Sequence, residues 1–171
     1  MKRIVIALFV AIVASLSMSA QKFALVDMDY ILQSIPAYEV ANQQLNVLSQ
    51  RYQKEVEAVA KQAEDLYKNY QKEMVFLTDD QKKAKEAEIV AKEKSAAELR
   101  IKYFGNEGEL AKKRSSLMQP IQDEVYNAIK QVSELRGYMC IFDRASSVDI
   151  IFASPRIDVS NEVLQILGYS K

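Results

Sequence analysis

The longest regular pattern in the chain is a repeat of apolar positions between Ala37 and Leu77, a stretch without glycine or proline. The apolar positions recur in steps of four and three, and glutamine, lysine, glutamate and asparagine fill the positions between them. This pattern predicts one amphipathic helix with a coiled-coil-like seam. About 40 residues would extend for about 60 Å, so we expect the helix to project from a domain of this size. The seam consists of Leu45, Leu48, Tyr52, Val56, Val59, Ala63, Leu66, Tyr70 and Leu77.

A second helix is predicted to return beside the first. The segment Thr78–Gln81 matches a capping box, so a helix is expected from there to about Tyr103. Its many alanines, separated by lysine and glutamate, suit close antiparallel packing. Gly105 and Gly108 then interrupt the helical pattern, each at a cost of about 1 kcal/mol relative to alanine. They mark either a close-packing site or a bend that lets the hairpin flex.

A third helical pattern, with a denser apolar stripe, occupies residues 110–135, and Gly137 is expected to end it. Pro120 lacks the amide hydrogen that a helix interior needs. The sequence therefore predicts either a kink at Pro120 or a restart of the helix after Ser115 or Ser116.

Three short apolar runs near the two ends of the chain read as β-strands: Phe23–Val26, Tyr138–Phe142 and Ile150–Phe152. The intervening residues are helical and charged. We therefore expect an α+β fold that is mostly α. In it, a long antiparallel helical hairpin, the coiled-coil-like arm (residues 41–114), projects from a small β-sheet body (residues 21–40 and 115–171).

Polar residues beside these runs are expected to fix short helices. Asp27 or Asp29 can cap a helix that follows the first run, and Asp158 or Ser160 can cap a closing helix. Pro36 suits the first turn of the long helix. Three short strands make a poor core for one chain, because their edges and apolar faces would stay open. Self-association through the body is the expected remedy.

The first 20 residues read as a secretory signal peptide rather than as part of the fold. Lys2 and Arg3 precede an apolar run, Ile4–Leu16, and cleavage is expected after Ala20. The run is shorter than the ~20 residues that span a bilayer, although a retained N-terminal anchor is the alternative. The rest of the chain is then one domain of about 150 residues, expected to be soluble.

Composition excludes several kinds of chemistry. The chain has 23 basic and 23 acidic residues, so its overall charge does not favour nucleic-acid binding. It contains no histidine, which removes histidine-dependent catalysis and histidine-containing zinc sites. Paired carboxylates lie on solvated helices, and no glycine-rich phosphate loop is present, so we do not expect an enzyme or a cofactor. Cys140, the only cysteine, is expected to be a small buried residue of a strand.

The order of these elements resembles the Skp/OmpH family of periplasmic chaperones over nearly the whole chain after the signal peptide. The resemblance rests on Phe23–Met28, on the charged hairpin, and on Leu117–Asp123, Gly137-Tyr138 and Ile157–Ser160. It implies a periplasmic homotrimer whose helical arms enclose unfolded outer-membrane proteins without ATP. It also implies that six residues lie in the oligomerising body: Phe23, Leu25, Met139, Ile141, Ile150 and Phe152.

The charge of the arm departs from the basic pattern of that family. Between Thr78 and Arg114 there are ten basic and eight acidic residues, which leaves contact with lipopolysaccharide or a membrane surface open. Two local basic clusters remain candidates for such contacts, with ordinary solvated helix surface as the alternative. They comprise Lys82, Lys83 and Lys85, and Lys112, Lys113 and Arg114.

An apolar group beside the predicted helix reversal is the candidate contact for unfolded protein. Met74, Val75, Phe76 and Leu77 should be partly exposed by a tight reversal, although they could instead seal the turn. Tyr67 lies beside the seam and is expected to face the client. A structural spacer or adaptor of the cell envelope is the alternative function, for which longer uninterrupted heptads would be expected.

Overall fold

The computed structural model describes residues 22–146 and 150–169. The predicted signal peptide lies outside these residues. The elements in chain order are β1 (Phe23–Val26), α1 (Met28–Gln33), α2 (Pro36–Glu73), α3 (Asp79–Phe104), α4 (Glu109–Arg136), β2 (Cys140–Asp143) and α5 (Ser160–Ile166), with a 3₁₀ turn at Pro155–Ile157 before α5. The fold is thus mostly helical with a small sheet, as predicted. None of the helices in the described ranges is both long enough and apolar enough to cross a membrane.

The chain forms two compact units that divide within α4. The hairpin unit comprises Ile35–Glu124, and the sheet unit comprises the described residues of Met1–Ser34 and Val125–Lys171. We describe each unit by itself.

Helix α2 is the predicted long helix of the hairpin unit. Pro36 occupies its first turn, where a missing amide hydrogen costs nothing. The side chains that α2 buries follow the predicted seam, and they are Ala41, Leu45, Val56, Ala63 and Tyr70. The helix ends at Glu73, so the segment Met74–Leu77 lies between helices.

Helix α3 begins at the predicted capping box and returns along α2. The Thr78 hydroxyl accepts a hydrogen bond from the Gln81 amide, and the Gln81 side chain accepts one from the Thr78 amide. Tyr70 contacts Glu86 near the reversal, whereas Tyr52 contacts Tyr103 farther along, so the two helices are antiparallel. Helix α3 buries only Ile89, Ala96 and Tyr103.

The helical path is interrupted between Phe104 and Glu109, at the two glycines singled out in the sequence. Helix α4 then runs without interruption to Arg136 and contains Pro120. The predicted restart after Ser115 or Ser116 is therefore wrong, because the helix tolerates the loss of the single hydrogen bond that Pro120 cannot donate. Gly137 ends α4 with a positive φ of 69°, as predicted.

The sheet unit contains two parallel strands. Phe23 pairs with Cys140 and Val26 with Asp143, and the whole helical hairpin separates the strands in sequence. The predicted third strand at Ile150–Phe152 is wrong, since residues 150–154 have no regular structure. The other edge of β1 is instead bridged by Asp158, and the Val159 amide donates to the Leu25 carbonyl over 2.9 Å.

The core of the sheet unit forms where α1, α5 and β1 meet the end of α4. Asp27 caps α1 as predicted, with its carboxylate accepting from the Tyr30 amide over 2.9 Å. The N-cap residue of α5 is Val159 and not Asp158 or Ser160, so that prediction is wrong, although the Asp158 carboxylate accepts from the Ser160 amide. Arg144 forms ion pairs with both aspartates at 3.0 Å and so ties the end of β2 to both helix starts. The largest fully buried side chains here are Ile31, Val125, Val132, Val159 and Val163.

Candidate functional site

The reversal between α2 and α3 presents apolar side chains to solvent. Val75 is 81% exposed, Phe76 is 86% exposed and Met74 is 43% exposed, whereas Leu77 is half-buried. The capping box starts α3 immediately afterwards, so these four residues lie between the two helices and not within either. We call Met74–Leu77 the apolar turn. Its two central side chains do not seal the hairpin.

A second apolar surface lies between α2 and α3, farther from the turn. It is an open groove of about 580 Å³. Tyr67, the tyrosine singled out in the sequence, forms part of its wall and is 49% exposed. The groove is lined by Val56, Ala60, Ala63, Glu64, Tyr67, Glu93, Ala96, Ala97, Arg100 and Ile101.

The groove exists because small side chains face each other across the hairpin. Alanines at positions 60 and 63 of α2 and at positions 96 and 97 of α3 leave room that larger residues would fill. Ile101, 70% exposed, forms a wall. Sequence reasoning singled out Tyr67 but missed Ile101 and the groove itself. The alanines of α3 were a usable signal, but the register between the two helices was needed to place them opposite those of α2.

Charged residues border the groove on both helices. Glu64 is paired with Lys68, and the hydrogen bond between them holds the pKa of the Glu64 carboxyl below its ordinary value. Glu93 and Arg100 lie on α3 and are exposed. The groove therefore combines an apolar floor with charges of both signs at its border.

The two basic clusters lie at opposite ends of α3. Lys82, Lys83 and Lys85 occupy its first turns, where Lys82 is 3.9 Å from the Asp79 carboxylate. Lys112, Lys113 and Arg114 lie just after the start of α4. Phe104, the last residue of α3, follows Lys85 by 19 residues, so about 29 Å of helix α3 lies between the clusters. The structure does not bring them together into one patch.

The predicted body residues divide into buried and exposed groups. Leu25 is buried, Ile141 is half-buried, and the other four are exposed: Phe23, Met139, Ile150 and Phe152. Ile151, which was not singled out, is fully exposed. Cys140 is also exposed, so the expectation of a buried thiol is wrong. Exposed and half-buried residues alternate along β2, and Cys140 lies on the more exposed face of the strand.

A cluster of tyrosines and glutamates lies beside the interruption between α3 and α4. The rings of Tyr52 and Tyr103 stack at a centroid distance of 4.0 Å, only 3° from parallel. The Tyr52 hydroxyl donates to the Glu109 carboxylate over 2.7 Å, and the Tyr103 hydroxyl donates to Glu55. We call these four residues the tyrosine–glutamate cluster.

Hydrogen bonding shifts the acid–base behaviour of the whole cluster. The bond to Glu55 raises the pKa of Tyr103 to about 12, and the bond to Glu109 raises the pKa of Tyr52. The same bonds hold the pKa values of both carboxyl groups below their ordinary range, with Arg51 adding to the effect at Glu55. Among the described residues, no group of histidine, cysteine, aspartate or glutamate side chains is arranged to hold a metal ion.

Comparison with known families places the whole described chain in one group. Residues 22–167 match the model of the family described as Outer membrane protein (OmpH-like). The chain belongs to this OmpH-like family.

A solved structure shares the fold of this OmpH-like chain. It is the crystal structure of an OmpH-like protein from Caulobacter crescentus CB15, proposed to be an outer membrane chaperone, with a TM-score of 0.65 and 14% sequence identity. The match covers 87% of this chain and 85% of the other. Among curated proteins, no significant match is found.

Proposed function

We propose that the protein is a periplasmic holding chaperone that binds unfolded outer-membrane proteins and prevents their aggregation before membrane insertion, without ATP. The observation that carries the proposal is the pair of open apolar surfaces on the hairpin unit, the apolar turn and the groove. Membership of the OmpH-like family and the proposed role of the C. crescentus protein support it.

Open, shallow surfaces suit a partner that has no fixed shape. A holding chaperone must bind many sequences weakly and release them, so its affinity has to come from many small contacts made together. Val75 and Phe76 offer such contacts without enclosing a ligand. Met74 adds a flexible and polarizable side chain that adapts to different partners.

The chemistry of an unfolded membrane strand matches the groove. Strands of outer-membrane barrels alternate apolar and polar residues, with aromatic residues near each membrane interface. A floor of alanines accepts apolar side chains of different sizes, and Tyr67 and Ile101 provide larger contact surfaces. Glu93 and Arg100 at the border leave places for the polar residues of the alternating pattern.

Several copies of the chain would bring several hairpins to the same client. We infer that the exposed apolar residues of the sheet unit hold a homotrimer together, since exposed patches of this kind commonly mark interfaces. The basic clusters remain candidate contacts for acidic client segments or for a membrane surface, because no carboxylate of the described residues lies within 4.0 Å of the amino groups of Lys83, Lys85, Lys112 and Lys113.

The proposal is tested by measuring light scattering of a diluted, urea-unfolded outer-membrane β-barrel protein with and without the chaperone, in the absence of nucleotide. The unmodified protein should suppress aggregation. The triple variant Met74→Ser, Phe76→Ser, Leu77→Ser should suppress it less, because it removes apolar surface from the apolar turn.

Matched controls are Val47→Ser and Val90→Ser, which remove exposed apolar side chains of the same hairpin unit outside both surfaces. They should leave suppression unchanged, and all variants should keep the native mass. If the unmodified protein has no effect on aggregation, the chaperone proposal is wrong and a spacer or adaptor role becomes the better interpretation. Equal suppression by the triple variant would remove the apolar turn from the binding surface.

A further inference from the structure

The backbone at the interruption between α3 and α4 is held by few hydrogen bonds. The Gly105 amide donates to the Ile101 carbonyl over 2.9 Å, and the Gly108 amide donates to the Gly105 carbonyl over 2.8 Å. Helical bonding resumes with the Lys112 amide, which donates to the Gly108 carbonyl. The segment Gly105–Gly108 therefore lacks the continuous ladder that stiffens the helices on both sides.

The tyrosine–glutamate cluster ties both sides of this interruption to one turn of α2. Tyr103 lies just before the interruption and donates to Glu55, whereas Glu109 lies just after it and accepts from Tyr52. Tyr52 and Glu55 are three residues apart on α2 and so share one face of that helix. In addition, the Lys102 ammonium lies 3.4 Å from the Glu109 carboxylate and links α3 directly to α4.

We propose that the tyrosine–glutamate cluster acts as a lock that holds the interruption closed and thereby fixes the adjoining end of the groove. The Tyr52 hydroxyl of α2 donates to Glu109 of α4, and the Tyr103 hydroxyl of α3 donates to Glu55 of α2. Opening the interruption therefore requires that at least one hydrogen bond to a charged acceptor breaks, and such bonds are stronger than neutral ones.

The cluster adjoins the groove through two of the groove's lining residues. Val56 follows Tyr52 by one turn of α2, and Ile101 precedes Tyr103 by two residues on α3. Movement of the end of α3 away from α2 would displace Ile101 and widen the groove at that end. This second step rests on the proposed function, since it makes the lock a regulator of client binding.

Stacking of the Tyr52 and Tyr103 rings is the alternative explanation for a closed interruption, and the two explanations differ in a measurable way. Phenylalanine in place of Tyr103 keeps the ring and its stacking on Tyr52 but removes the hydroxyl that binds Glu55. If the rings alone hold the interruption closed, this substitution leaves its opening unchanged. If the hydrogen bonds hold it closed, opening becomes easier.

The chain supplies a matched control at the other end of the hairpin unit. The Tyr70 hydroxyl donates to Glu86, which again joins α2 to α3, but this pair lies near the apolar turn and away from the interruption. Tyr70→Phe therefore removes a bond of the same chemistry without touching the proposed lock.

The test is native-state hydrogen exchange of the full chain, read at the hydrogen-bonded amides of Gly105, Gly108 and Lys112. Tyr103→Phe and Tyr52→Phe should each speed exchange there by at least about 10-fold, as expected for the loss of one hydrogen bond to a charged acceptor. Tyr70→Phe should leave these amides unchanged. Glu55→Gln, which keeps an uncharged acceptor, should give a smaller increase than Tyr103→Phe. Unchanged exchange in Tyr103→Phe, or an equal increase in Tyr70→Phe, overturns the lock.

Release of a bound, labelled outer-membrane protein tests the link to the groove. Tyr103→Phe should release it about 5-fold faster than the unmodified protein, because the groove wall is less preorganised, and Tyr70→Phe should not. If Tyr103→Phe and the unmodified protein release the client at equal rates, the cluster does not regulate client binding. The hydrogen-exchange data then still decide whether the lock exists. If the unmodified protein holds no client at all, the proposed function fails, and the exchange result still decides whether the lock exists.

Discussion

At the scale of single residues, Tyr103 has the most altered chemistry in the chain. Its ring is nearly buried against Tyr52, and its hydroxyl donates to the Glu55 carboxylate. Ionising the phenol would break the hydrogen bond to Glu55, leave a charge in a buried place and set that charge beside Glu55 and near Glu109. These effects raise the pKa of Tyr103 to about 12. The neutral phenol and the ionised carboxylate stabilise each other over a wide range of pH.

This pairing predicts a specific pH dependence. Because the pKa of Tyr103 is higher in the folded protein than in the unfolded chain, where it is about 10, the neutral phenol stabilises the fold fully below about pH 10. This stabilisation is lost as the pH rises towards about 12. The lowered pKa of Glu55 contributes stability above about 4.3, and this contribution is lost as the pH falls below that value. Titration of phenolate absorbance should reveal a tyrosine that ionises near 12 and disappears in Tyr103→Phe. If the tyrosine that is missing from the titration of Tyr103→Phe instead ionises at the ordinary tyrosine pKa of about 10, the hydrogen bond to Glu55 is contradicted.

The sequence identified some site residues and not others for a physical reason. Tyr67 was found because its distance from the helical seam depends only on α2 itself. Ile101 and the groove depend on which residue of α3 lies opposite which residue of α2, and that register is a property of the folded pair. Cys140 was misjudged in a similar way, since its exposure depends on which face of β2 other elements cover.

At the scale of secondary-structure elements, local signals predicted the helices well. Pro36, the capping box at Thr78 and Gly137 act on their immediate neighbours, so their effects are readable without the tertiary fold. The third strand failed because Ile150–Phe152 has strand-like composition but no neighbour within the described chain with which to pair. A strand needs a partner, and the sequence of the strand alone does not supply one.

Gly108 gives a prediction that opposes simple helix propensity. Propensity alone suggests that alanine there would stabilise the helices by about 1 kcal/mol. A Cβ at Gly108, however, would lie 2.8 Å from the Tyr103 carbonyl oxygen and 2.9 Å from the backbone of Gly105. We therefore expect Gly108→Ala to lower the free energy of unfolding by more than about 1 kcal/mol, measured by urea denaturation.

The control for this substitution is Asn106→Ala in the same exposed loop. It should change the free energy of unfolding by less than about 0.5 kcal/mol, because the Asn106 side chain is exposed. A Gly108→Ala variant as stable as the unmodified protein would mean that the interruption can rearrange into continuous helix at no cost.

At the scale of the whole molecule, the sheet unit exposes more apolar surface than the two strands can cover. Ile151 is fully exposed and Phe152 is 86% exposed, next to a sheet with only one strand pair. Self-association, which the sequence leads us to expect, would cover these side chains. Both the association and the number of subunits stay predictions.

Analytical ultracentrifugation of the full chain tests this association. The unmodified protein should sediment as a trimer. The double variant Ile151→Asp, Phe152→Asp should dissociate into monomers at protein concentrations at least about tenfold higher than those at which the unmodified protein dissociates. The reason is that burying one side chain of this size contributes roughly 1.5–3 kcal/mol to association. The matched variant Val47→Asp, Val90→Asp alters exposed apolar residues of the hairpin unit and should leave the mass unchanged. A monomeric unmodified protein would contradict the trimer.

The parallel pairing of β1 with β2 also has a consequence for the order of folding. The Asp27 amide binds the Ser160 hydroxyl across 133 residues of sequence, whereas α2 and α3 meet across a short turn. Closing so long a loop is entropically costly and slow, while neighbouring helices associate quickly. In the proposed export, in which the chain emerges N-terminus first, its first strand must stay unpaired until nearly all of the remaining residues have followed. The helices can form in that interval, so a newly exported molecule would itself pass through a state with a bare strand edge, the hazard it is proposed to prevent in others.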